Sequence, residues 1–530
     1  MIKLIFFDII NKGEYVGGIK LKNERRTNSI IKRVLNVIIT LILVLLQVAL
    51  YVLFFTSINE VKYINVTFRI LSLLGVIYLY QSKYNSSYKY SWAILMTLFP
   101  LFGVFLFFIV GLNRRLPEKK IKKVNQYISK YTEEEEHLDE CFSNDLIGKK
   151  HASILINQAN LKVYKNTDFK FYSDPVYKTK DLIEDIKKAK QYIFMEYFIL
   201  AEGKLFSELE EILIHKASEG VEVKILYDDI GSITRLSKDR INFLKKQSNI
   251  EIIAYNPMGA KLSLGINYRD HRKMTIIDGN VVYSGGDNIA DEYVHIKQRH
   301  GFWRDTSFRL MGEAVKGYVL MFVEMWYLSS KKMLDASKYM RCRSDIKNEA
   351  IHIPFGDGPM NNVDLASDII LSLVNNAKKN IYISTPYLIV NQEIIDALAN
   401  ASASGVDVRI LVPCIPDKKV VFWMTQAHYR KILEKGGKIY EYTPGFNHAK
   451  EIVVDGEYAM LGTINLDYRS LYLHFECADL IMYDQEIKKI EEDFIKNINE
   501  SKIITYENWK KRSFIKKVIQ YFLYILSSLF

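Results

Sequence analysis

The pattern of hydrophobic and polar positions changes sharply near residue 117 of the 530-residue chain. Before that point, Val34 to Asn59 and Tyr90 to Leu112 contain no charged residue. Each stretch is long enough to cross a hydrocarbon core of about 30 Å. Between them, Tyr63 to Tyr80 is apolar apart from two polar residues and Arg69, whose long side chain could reach the interface. Residues 1–116 are therefore predicted to form a membrane region with two transmembrane helices and one further possible span.

Clusters of basic residues flank this region on both sides. Positive residues favour the cytoplasmic side, so both clusters are expected in the same compartment. An even number of crossings satisfies that rule, whereas three crossings require a middle segment that is re-entrant or interfacial. The number of crossings stays open, and the large C-terminal part is predicted to be cytoplasmic on a multi-pass cell-membrane protein. The clusters are Lys20, Lys22, Arg25, Arg26, Lys32 and Arg33, and Arg114, Arg115, Lys119, Lys120, Lys122 and Lys123.

After residue 117 the chain becomes polar and then alternates between two periodicities. Residues 117–160 are rich in charge, include the acidic run Glu133 to Glu136, and are predicted to be a charged linker. Farther on, "DLIEDIKKAKQ" has helical spacing, and "YIFMEYFIL" has the aromatic and branched content of a buried strand. Alternating helices and strands predict an α/β fold.

This helix and strand unit occurs twice. "AKQYIFMEYFIL" at Ala189 is similar to "AKKNIYISTPYLI" at Ala377, and "KASEGVEVKIL" around Gly220 is similar to "NASASGVDVRIL" around Gly405. A repeat at such spacing indicates a duplicated domain. The predicted divisions are a first α/β domain at 161–345, a second at 346–512, and a C-terminal helix at 513–530 that is either interfacial or docked on the core.

One short motif is also duplicated, with the spacing His-x-Lys-x-x-x-x-Asp in both copies. Each copy continues through an apolar strand into a glycine-containing turn and an asparagine. A generous count gives roughly one chance in a hundred that two such patterns arise at random. The first copy comprises His271, Lys273 and Asp278 with Asn288, and the second comprises His448, Lys450 and Asp455 with Asn465.

The residue types of this motif suit attack on a phosphate diester. A neutral histidine can attack phosphorus while a protonated histidine releases the alcohol, because an ordinary pKa near 6.5 allows both forms near neutral pH. Two lysines would offset the phosphate charge and two asparagines would add donors, so the reaction requires neither a metal nor another cofactor. Asp278 and Asp455 either orient an imidazole or form ordinary Asp-Gly turns.

Composition limits the classes of binding partner but does not distinguish between phospholipid and nucleic acid. The chain has 72 Lys and Arg against 61 Asp and Glu, a formal charge of +11, which suits phospholipid or nucleic acid. Its four cysteines form no Cys-x-x-Cys pair, so neither a disulfide scaffold nor a zinc site is predicted. The apolar spans favour lipid, and no stacking platform for nucleic acid is evident.

At these motifs the chain resembles the phospholipase D superfamily, and within it the bacterial cardiolipin synthases. The resemblance rests on "NYRDHRKMTIIDG", "GGDNIADEY" and "FWRDT" in the first half, and on "TPYLI", "YEYTPGFNHAK" and "GTINLDYRSLYLHFE" in the second. It implies two phospholipase D-like α/β domains packed as a pseudo-dimer behind a transmembrane region. It also implies a transferase that joins two phosphatidylglycerol molecules into cardiolipin and glycerol through a phosphatidyl-histidine intermediate.

The resemblance further implies residue roles. His271 would be the nucleophile and His448 the general acid, and the substrate pocket would include Glu196, Tyr387 and Glu476. From the residues alone, Glu196 could equally be a buried, paired carboxylate. The chain departs from the family pattern at Thr463, where Ser is usual, and at His474, where Asn is usual.

Several alternatives remain at this point. The enzyme could pass the intermediate to water as a phospholipase D, or could use another acceptor alcohol. A nuclease and a membrane scaffold without catalysis fit less well, since the spans direct the site to lipid and both histidines are present. The apolar run from Tyr318 is too short to span a bilayer and is predicted to be a core helix. Oligomeric state is open.

Overall fold

The computed structural model describes residues 49, 59–112, 118–132, 141–142, 145–257, 267–340, 342 and 345–529. The chain divides into two compact units. One contains Met1–Ser82 and Trp92–Phe108, and the other contains Lys83–Ser91 and Ile109–Phe530.

The described part of the predicted membrane region is divided between the two units. Helix α1 spans Asn59–Gln81, α2 spans Ser86–Leu98, α3 spans Pro100–Leu106, and a π-helical turn follows at Phe107–Gly111. The stretch Tyr90 to Leu112 is thus not one continuous helix, because Pro100 lacks an N–H and starts a new helix. Within the described part of the chain, no helix combines the length and apolar content needed to cross a bilayer. The predicted span Val34 to Asn59 lies outside the described residues except for Ala49 and Asn59.

Two helices of the second unit lie in the region predicted to be a linker. They are α4, Glu118–Thr132, and α5, Leu146–Ala159. Val124 of α4 and Leu155 of α5 are buried in two hydrophobic clusters of the α/β halves. The region predicted to be a charged linker, 117–160, therefore contains two helices that each pack an apolar face on the halves. The run Glu133 to Glu136 lies outside the described residues.

The described residues of the first half form eight strands and six helices. Its strands are β1 Thr167–Tyr172, β2 Tyr192–Tyr197, β3 Glu222–Asp228, β4 Ile250–Tyr255, β5 Lys273–Ile277, β6 Val281–Gly285, β7 Phe302–Arg304 and β8 Ser307–Gly312. Its helices are α6 Pro175–Lys188, α7 Lys204–Ser218, α8 Asp229–Ser232, α9 Lys238–Lys245, α10 Val315–Ser330 and α11 Ala336–Tyr339.

The second half repeats this order. Its strands are β9 Ile351–Asp357, β10 Asn380–Ser384, β11 Leu388–Ile389, β12 Asp407–Pro413, β13 Lys438–Tyr442, β14 Gly445–Asn447, β15 Glu451–Val454, β16 Tyr458–Gly462, β17 Leu466–Asp467, β18 Glu476–Met482 and β19 Ser501–Ile504. Its helices are α12 Leu365–Asn376, α13 Gln392–Ala403, α14 Lys419–Glu434, α15 Tyr468–Tyr472, α16 Glu486–Asn499, α17 Tyr506–Lys510 and α18 Phe514–Ile525.

The two large sheets have equivalent strand orders, which confirms the duplication. The first sheet has the order β1-β8-β6-β5-β2-β3-β4, and the second has β9-β18-β16-β15-β10-β12-β13 followed by the additional strand β19. In both, parallel pairs on one side of the sheet adjoin an antiparallel region that contains the motif strand, β5 or β15. The predicted pair of α/β domains is thus observed.

The halves share a hydrophobic core. A single cluster includes Phe194 and Met274 of the first sheet together with Leu461 and Phe494 of the second half. Helix α10, predicted from its sequence to be a core helix, lies in this cluster with most of its side chains buried. Because apolar side chains of both halves fill one core, the halves form a packed pair.

Candidate active site

The first motif histidine lies at the junction of the two halves. His271 precedes β5, and its Nδ1 lies 2.8 Å from Oε1 of Glu476, the first residue of β18 in the second half. Its backbone N–H donates to the carbonyl oxygen of Phe475 at 2.8 Å. Since the carboxylate accepts from Nδ1–H, the lone pair of His271 lies on Nε2.

The second motif histidine repeats this arrangement in the opposite direction. His448 Nδ1 lies 2.6 Å from Oδ2 of Asp305, which belongs to the first half. Its backbone N–H donates to the carbonyl oxygen of Arg304 at 2.7 Å. In each case two successive residues of the other half hold the histidine: the first accepts from its backbone N–H, and the carboxylate of the second orients its imidazole. Neither dyad therefore exists within one half alone.

Buried contacts fix the loop that carries Asp305. The guanidinium of Arg304 reaches into the second half and forms ion pairs with Glu451 at 2.8 Å and Asp493 at 2.6 Å. On the other side, a Cβ added at Gly286 would lie only 2.0 Å from Asp305 Oδ1. Gly286 thus allows the Asp305 carboxylate to approach, and Arg304 sets the position of Asp305 across the junction.

Both motif lysines are buried beside the histidines. Lys273 Nζ donates to the carbonyl oxygen of His271 at 2.5 Å, and Lys450 Nζ donates to that of His448. Burial lowers the pKa of both ammonium groups. The pKa of Lys450 is about 7, and the charge of Lys273 contributes to this lowering. The charge of Lys273 affects the pKa of Lys450, so the two ammonium groups lie near each other, as expected of a pocket that binds an anion.

Both imidazoles are poised in the neutral form. Burial lowers the pKa of His271 and of His448 well below the ordinary value, and the charges of Lys273 and Lys450 act in the same direction on each. The surroundings nevertheless differ. Besides the lysines, the charge of Arg469 also lowers the pKa of His271. The carboxylates of Asp417 and Asp287 act on His448 in the opposite direction and partly offset the lowering of its pKa.

The motif aspartates do not contact the histidines. Asp278 accepts hydrogen bonds from the backbone N–H groups of three successive residues, 190 to 192, at 2.7 to 2.8 Å. Asp455 accepts in the same way from residues 378 to 380 at 2.6 to 3.0 Å. The interpretation of these carboxylates as partners of the imidazoles is wrong, because an extended strand separates His271 from Asp278 by roughly 20 Å. The turn alternative is the one observed.

The two predicted asparagines differ in their contacts. Asn288 Oδ1 accepts from the backbone N–H of Ile199 at 2.8 Å, and its Nδ2 donates to the hydroxyl of Tyr293 at 2.9 Å. Asn465 is also buried, but its Oδ1 has no hydrogen-bond partner among the described residues. A substrate group could therefore satisfy Asn465, whereas Asn288 is held by the protein.

Glu196 lies away from the histidine group. In the pairing of β2 with β5, Glu196 is opposite Met274, whereas Lys273 is opposite Tyr197. Successive residues of a strand alternate between faces, so Glu196 and Lys273 lie on opposite faces of the sheet. The expectation that Glu196 lines the same pocket is wrong. Burial raises the pKa of its carboxyl well above the ordinary value, and the charge of Asp270 adds to the effect.

Two other residues named in the sequence analysis, Tyr387 and Thr463, lie around the dyads. The Tyr387 hydroxyl donates to Asp417 Oδ2 at 2.8 Å, and the Asp417 carboxylate is one of the groups that raise the pKa of His448. Thr463, which departs from the family pattern, donates its hydroxyl to Glu476 and also accepts from the backbone N–H of Cys477 at 3.0 Å. Thr463 thus holds the carboxylate that orients the first imidazole.

His474, the second departure, lies beside the first dyad. Its ring centroid is 5.5 Å from that of His271, and its Nε2 accepts from Arg469 Nε at 3.1 Å. Ligand atoms of His271, His474 and Glu476 lie within 4.8 Å of one another, so their spacing could suit a metal ion. Arg469 and the motif lysines would oppose a cation there, since their positive charges already lower the pKa of His271.

Asp305 is the residue that sequence reasoning missed. It occurs in "FWRDT", but the duplicated motif does not contain it. Asp305 lies 171 residues before Glu476, which is close to the 177-residue spacing between the two histidines. Asp305 stands just before β8, and Glu476 is the first residue of the equivalent strand β18. That spacing is the signal that could have identified Asp305 as the counterpart of Glu476.

Two sheets of equivalent order and two crossed histidine dyads define a two-domain protein of the phospholipase D class. Residues 182–301 and 370–498 match the family described as cardiolipin synthase, PLD-like domain. Cardiolipin synthase 2 of Bacillus anthracis is 34% identical over 469 residues, which cover 86% of this chain and 89% of that protein. The chain belongs to the cardiolipin synthase family.

Two further proteins are similar over most of their length. An uncharacterized protein of Streptococcus mutans is 35% identical over 448 residues, 84% of this chain and 97% of that protein. The crystal structure of a phosphatidylserine synthase from Haemophilus influenzae superposes with a TM-score of 0.55 at 16% identity, covering 71% of this chain and 96% of that chain. At that identity the second likeness concerns the fold alone.

Proposed function

We propose that the protein is a phosphatidyltransferase that converts two phosphatidylglycerol molecules into cardiolipin and glycerol. The observation that carries the proposal is the pair of crossed dyads, His271 with Glu476 and His448 with Asp305. Each dyad leaves Nε2 available for chemistry, and the buried lysines supply positive charge for a phosphate diester. Membership of the cardiolipin synthase family supports the choice of lipid.

The proposed first step forms a phosphatidyl-histidine. Nε2 of neutral His271 attacks phosphorus, the bond from phosphorus to the glycerol oxygen breaks, and protonated His448 donates its proton to that oxygen. Glycerol leaves, and His448 is left neutral. Lys273 and Lys450 stabilise the non-bridging oxygens. The amide of Asn465, whose oxygen has no hydrogen-bond partner among the described residues, contacts the substrate.

The proposed second step regenerates the enzyme. A headgroup hydroxyl of a second phosphatidylglycerol attacks phosphorus, the bond from phosphorus to His271 breaks, and His448 takes the hydroxyl proton. Cardiolipin leaves and both histidines return to their starting protonation states. No metal takes part in these steps.

The assignment of nucleophile and acid follows the surroundings of the two imidazoles. Burial and the two lysines lower the pKa of His448, and the carboxylates of Asp417 and Asp287 partly oppose that lowering, which is the direction that an acid needs. Arg469 lowers the pKa of His271 and favours the neutral form that a nucleophile needs. A bound phosphate adds negative charge and raises the pKa of both groups.

The setting of the enzyme is part of the proposal. Residues 1–116 would attach it to the cell membrane, with the catalytic halves on the cytoplasmic side. The two α/β domains would comprise residues 161–345 and 346–512, and α18 would follow them. Hydrolysis of the intermediate by water is the competing activity, since the same dyads could activate water.

The deciding experiment is a product analysis with the purified full chain and pure phosphatidylglycerol, without added divalent metal. We expect cardiolipin and glycerol in equal amounts. Phosphatidic acid as the main product would instead indicate a phospholipase D. Loss of activity with a chelator, restored by one particular ion, would contradict the metal-free mechanism.

A phosphatidyl ester of 4-nitrophenol separates the two histidine roles, because 4-nitrophenolate leaves without a proton. His448→Ala should release a burst of nitrophenolate and accumulate a covalent phosphatidyl-enzyme, whereas His271→Ala should release none. His215→Ala, at an exposed position of α7, is the matched control and should behave as the parent. The opposite pattern would exchange the roles, and no adduct in either folded variant would exclude the covalent route.

A further inference from the structure

The C-terminal helix α18 packs on the second half through one face only. Gln520 is 2% exposed on that face, and the Tyr524 hydroxyl donates to Gln392 Oε1 at 2.8 Å. The Tyr524 ring also lies 4.7 Å from the ring of His428 in α14. The helix is therefore a docked element of the second half.

The opposite face of α18 is apolar and exposed. Phe514, Val518, Tyr521, Phe522 and Ile525 follow one another at the spacing of a single helical face. Phe514 is 79% exposed and Phe522 is 63% exposed. A row of aromatic and aliphatic side chains on a docked helix is typical of a segment that lies in a bilayer interface.

Charge around this helix favours an anionic surface. The sequence contains no acidic residue after Glu507, whereas five cations occur between that residue and the middle of α18. Among the described residues, no carboxylate forms an ion pair with any of them. The five are Lys510, Lys511, Arg512, Lys516 and Lys517.

A groove of about 310 Å³ lies between α18 and α14. Its walls include Ile395, Ala427 and Trp509, and two of the unpaired cations, Arg512 and Lys517, also line it. The other charged groups of the groove are mutually compensated: Arg430 pairs with Glu434 at 2.9 Å, and Lys431 pairs with Asp396 at 2.5 Å. The volume lies in the range of ordinary small-molecule sites.

Two buried polar atoms at the groove lack hydrogen-bond partners among the described residues. They are Arg512 Nε and Gln520 Oε1. The Arg512 guanidinium lies 3.5 Å from the centre of the Trp509 ring, which fixes its plane at the groove wall. Buried polar atoms are nearly always hydrogen-bonded, so the Arg512 donor indicates a missing acceptor such as a phosphate oxygen, whereas the Gln520 oxygen needs a donor instead.

We propose that this groove binds an anionic phospholipid of the bilayer surface, with part of an acyl chain between α14 and α18 and the phosphate against Arg512 and Lys517. The exposed face of α18 then lies in the interface around the bound lipid. The choice of a lipid ligand rests on the proposed function, but the site does not include either motif histidine.

Quenching of Trp509 fluorescence by brominated lipid tests the proposal on the detergent-solubilised full chain. Subtracting the signal of Trp509→Phe isolates this tryptophan from the other four. The probe is acyl-brominated phosphatidic acid, which has no headgroup alcohol to transfer, and brominated phosphatidylcholine serves for comparison. Because no turnover is measured, a negative result here leaves the product assay intact and is distinguishable from failure of the proposed function.

We expect the anionic lipid to quench Trp509 at a much lower mole fraction than the zwitterionic lipid. The double variant Arg512→Gln with Lys517→Gln should bind the anionic lipid about 10- to 30-fold more weakly, since each cation near a lipid surface contributes appreciably to binding. Lys245→Gln with Lys246→Gln, which removes the same charge at two exposed positions at the C-terminal end of α9, should change nothing. Equal quenching by both lipids, no quenching, or an equal effect of the control pair would each overturn the proposal.

Discussion

Replacing Asp278 by alanine tests whether the aspartate of the duplicated motif serves folding or chemistry. Its carboxylate accepts from the N–H groups of Lys190, Gln191 and Tyr192, and so fixes the chain at the start of β2. Its own φ is +52°, in the left-handed region that asparagine and aspartate tolerate better than alanine. Asp278→Ala removes all three acceptor contacts and leaves alanine in that conformation.

The expected loss is large for one substitution. A hydrogen bond to a charged acceptor contributes about 1.5–3 kcal/mol, but two of the donors belong to exposed residues that water can satisfy. The three contacts together therefore contribute about 2–4 kcal/mol, and alanine in the left-handed region adds about 1–2 kcal/mol. For a half of this size, about 2–4 °C per kcal/mol predicts an apparent melting temperature lower by roughly 6–24 °C.

The assay is thermal unfolding of the purified full chain at one fixed scan rate, combined with activity per folded molecule at low temperature. Asp278→Asn keeps one acceptor oxygen and tolerates the backbone conformation, so it should lose only a few degrees by comparison. Asp455→Ala, with φ of +57° and three equivalent contacts, should behave like Asp278→Ala. An unchanged melting temperature with activity lower by about 100-fold or more would refute this reasoning, because the carboxylate would then act in the chemistry.

Three further predictions follow from the site and its supports. Asp305→Asn should lower turnover about 10²- to 10⁴-fold with little loss of stability, because the amide no longer holds His448 in the required tautomer; a variant of near-parental rate would show that the crossed dyad is not needed. The pKa of Lys450 is lowered to about 7, so its charge is present below that pH and is lost above it. We therefore expect kcat/KM to decline above about pH 7, and a folded Lys450→Arg variant should remove that alkaline decline while lowering the rate; a decline unchanged in the variant would assign it to another group. Finally, a chain that starts at Lys150 removes α4 and the first turn of α5, whereas a chain that starts at Glu118 retains both helices. The shorter chain should melt at a lower temperature in detergent, and equal melting would show that neither helix supports the halves.

Local regularities of the sequence determined most of the fold. Alternation of helical and strand periodicities predicted two α/β halves, and their similarity predicted the equivalent strand orders that the sheets have. The same duplication identified both His-Lys pairs, because a motif at fixed spacing from a repeated strand is visible without any knowledge of contacts. The apolar run from Tyr318 was sufficient to predict the core helix α10.

Tertiary structure alone decided which carboxylate serves which histidine. The partners of His271 and His448 are 205 and 143 residues away in the chain and come from opposite halves. Sequence spacing favoured the nearer Asp278 and Asp455, but an extended strand carries them to the far end of the sheet. The face occupied by Glu196 likewise depended on the register of β2 against β5. Periodicity describes neighbours along the chain, whereas the packing of two halves determines which distant side chains meet.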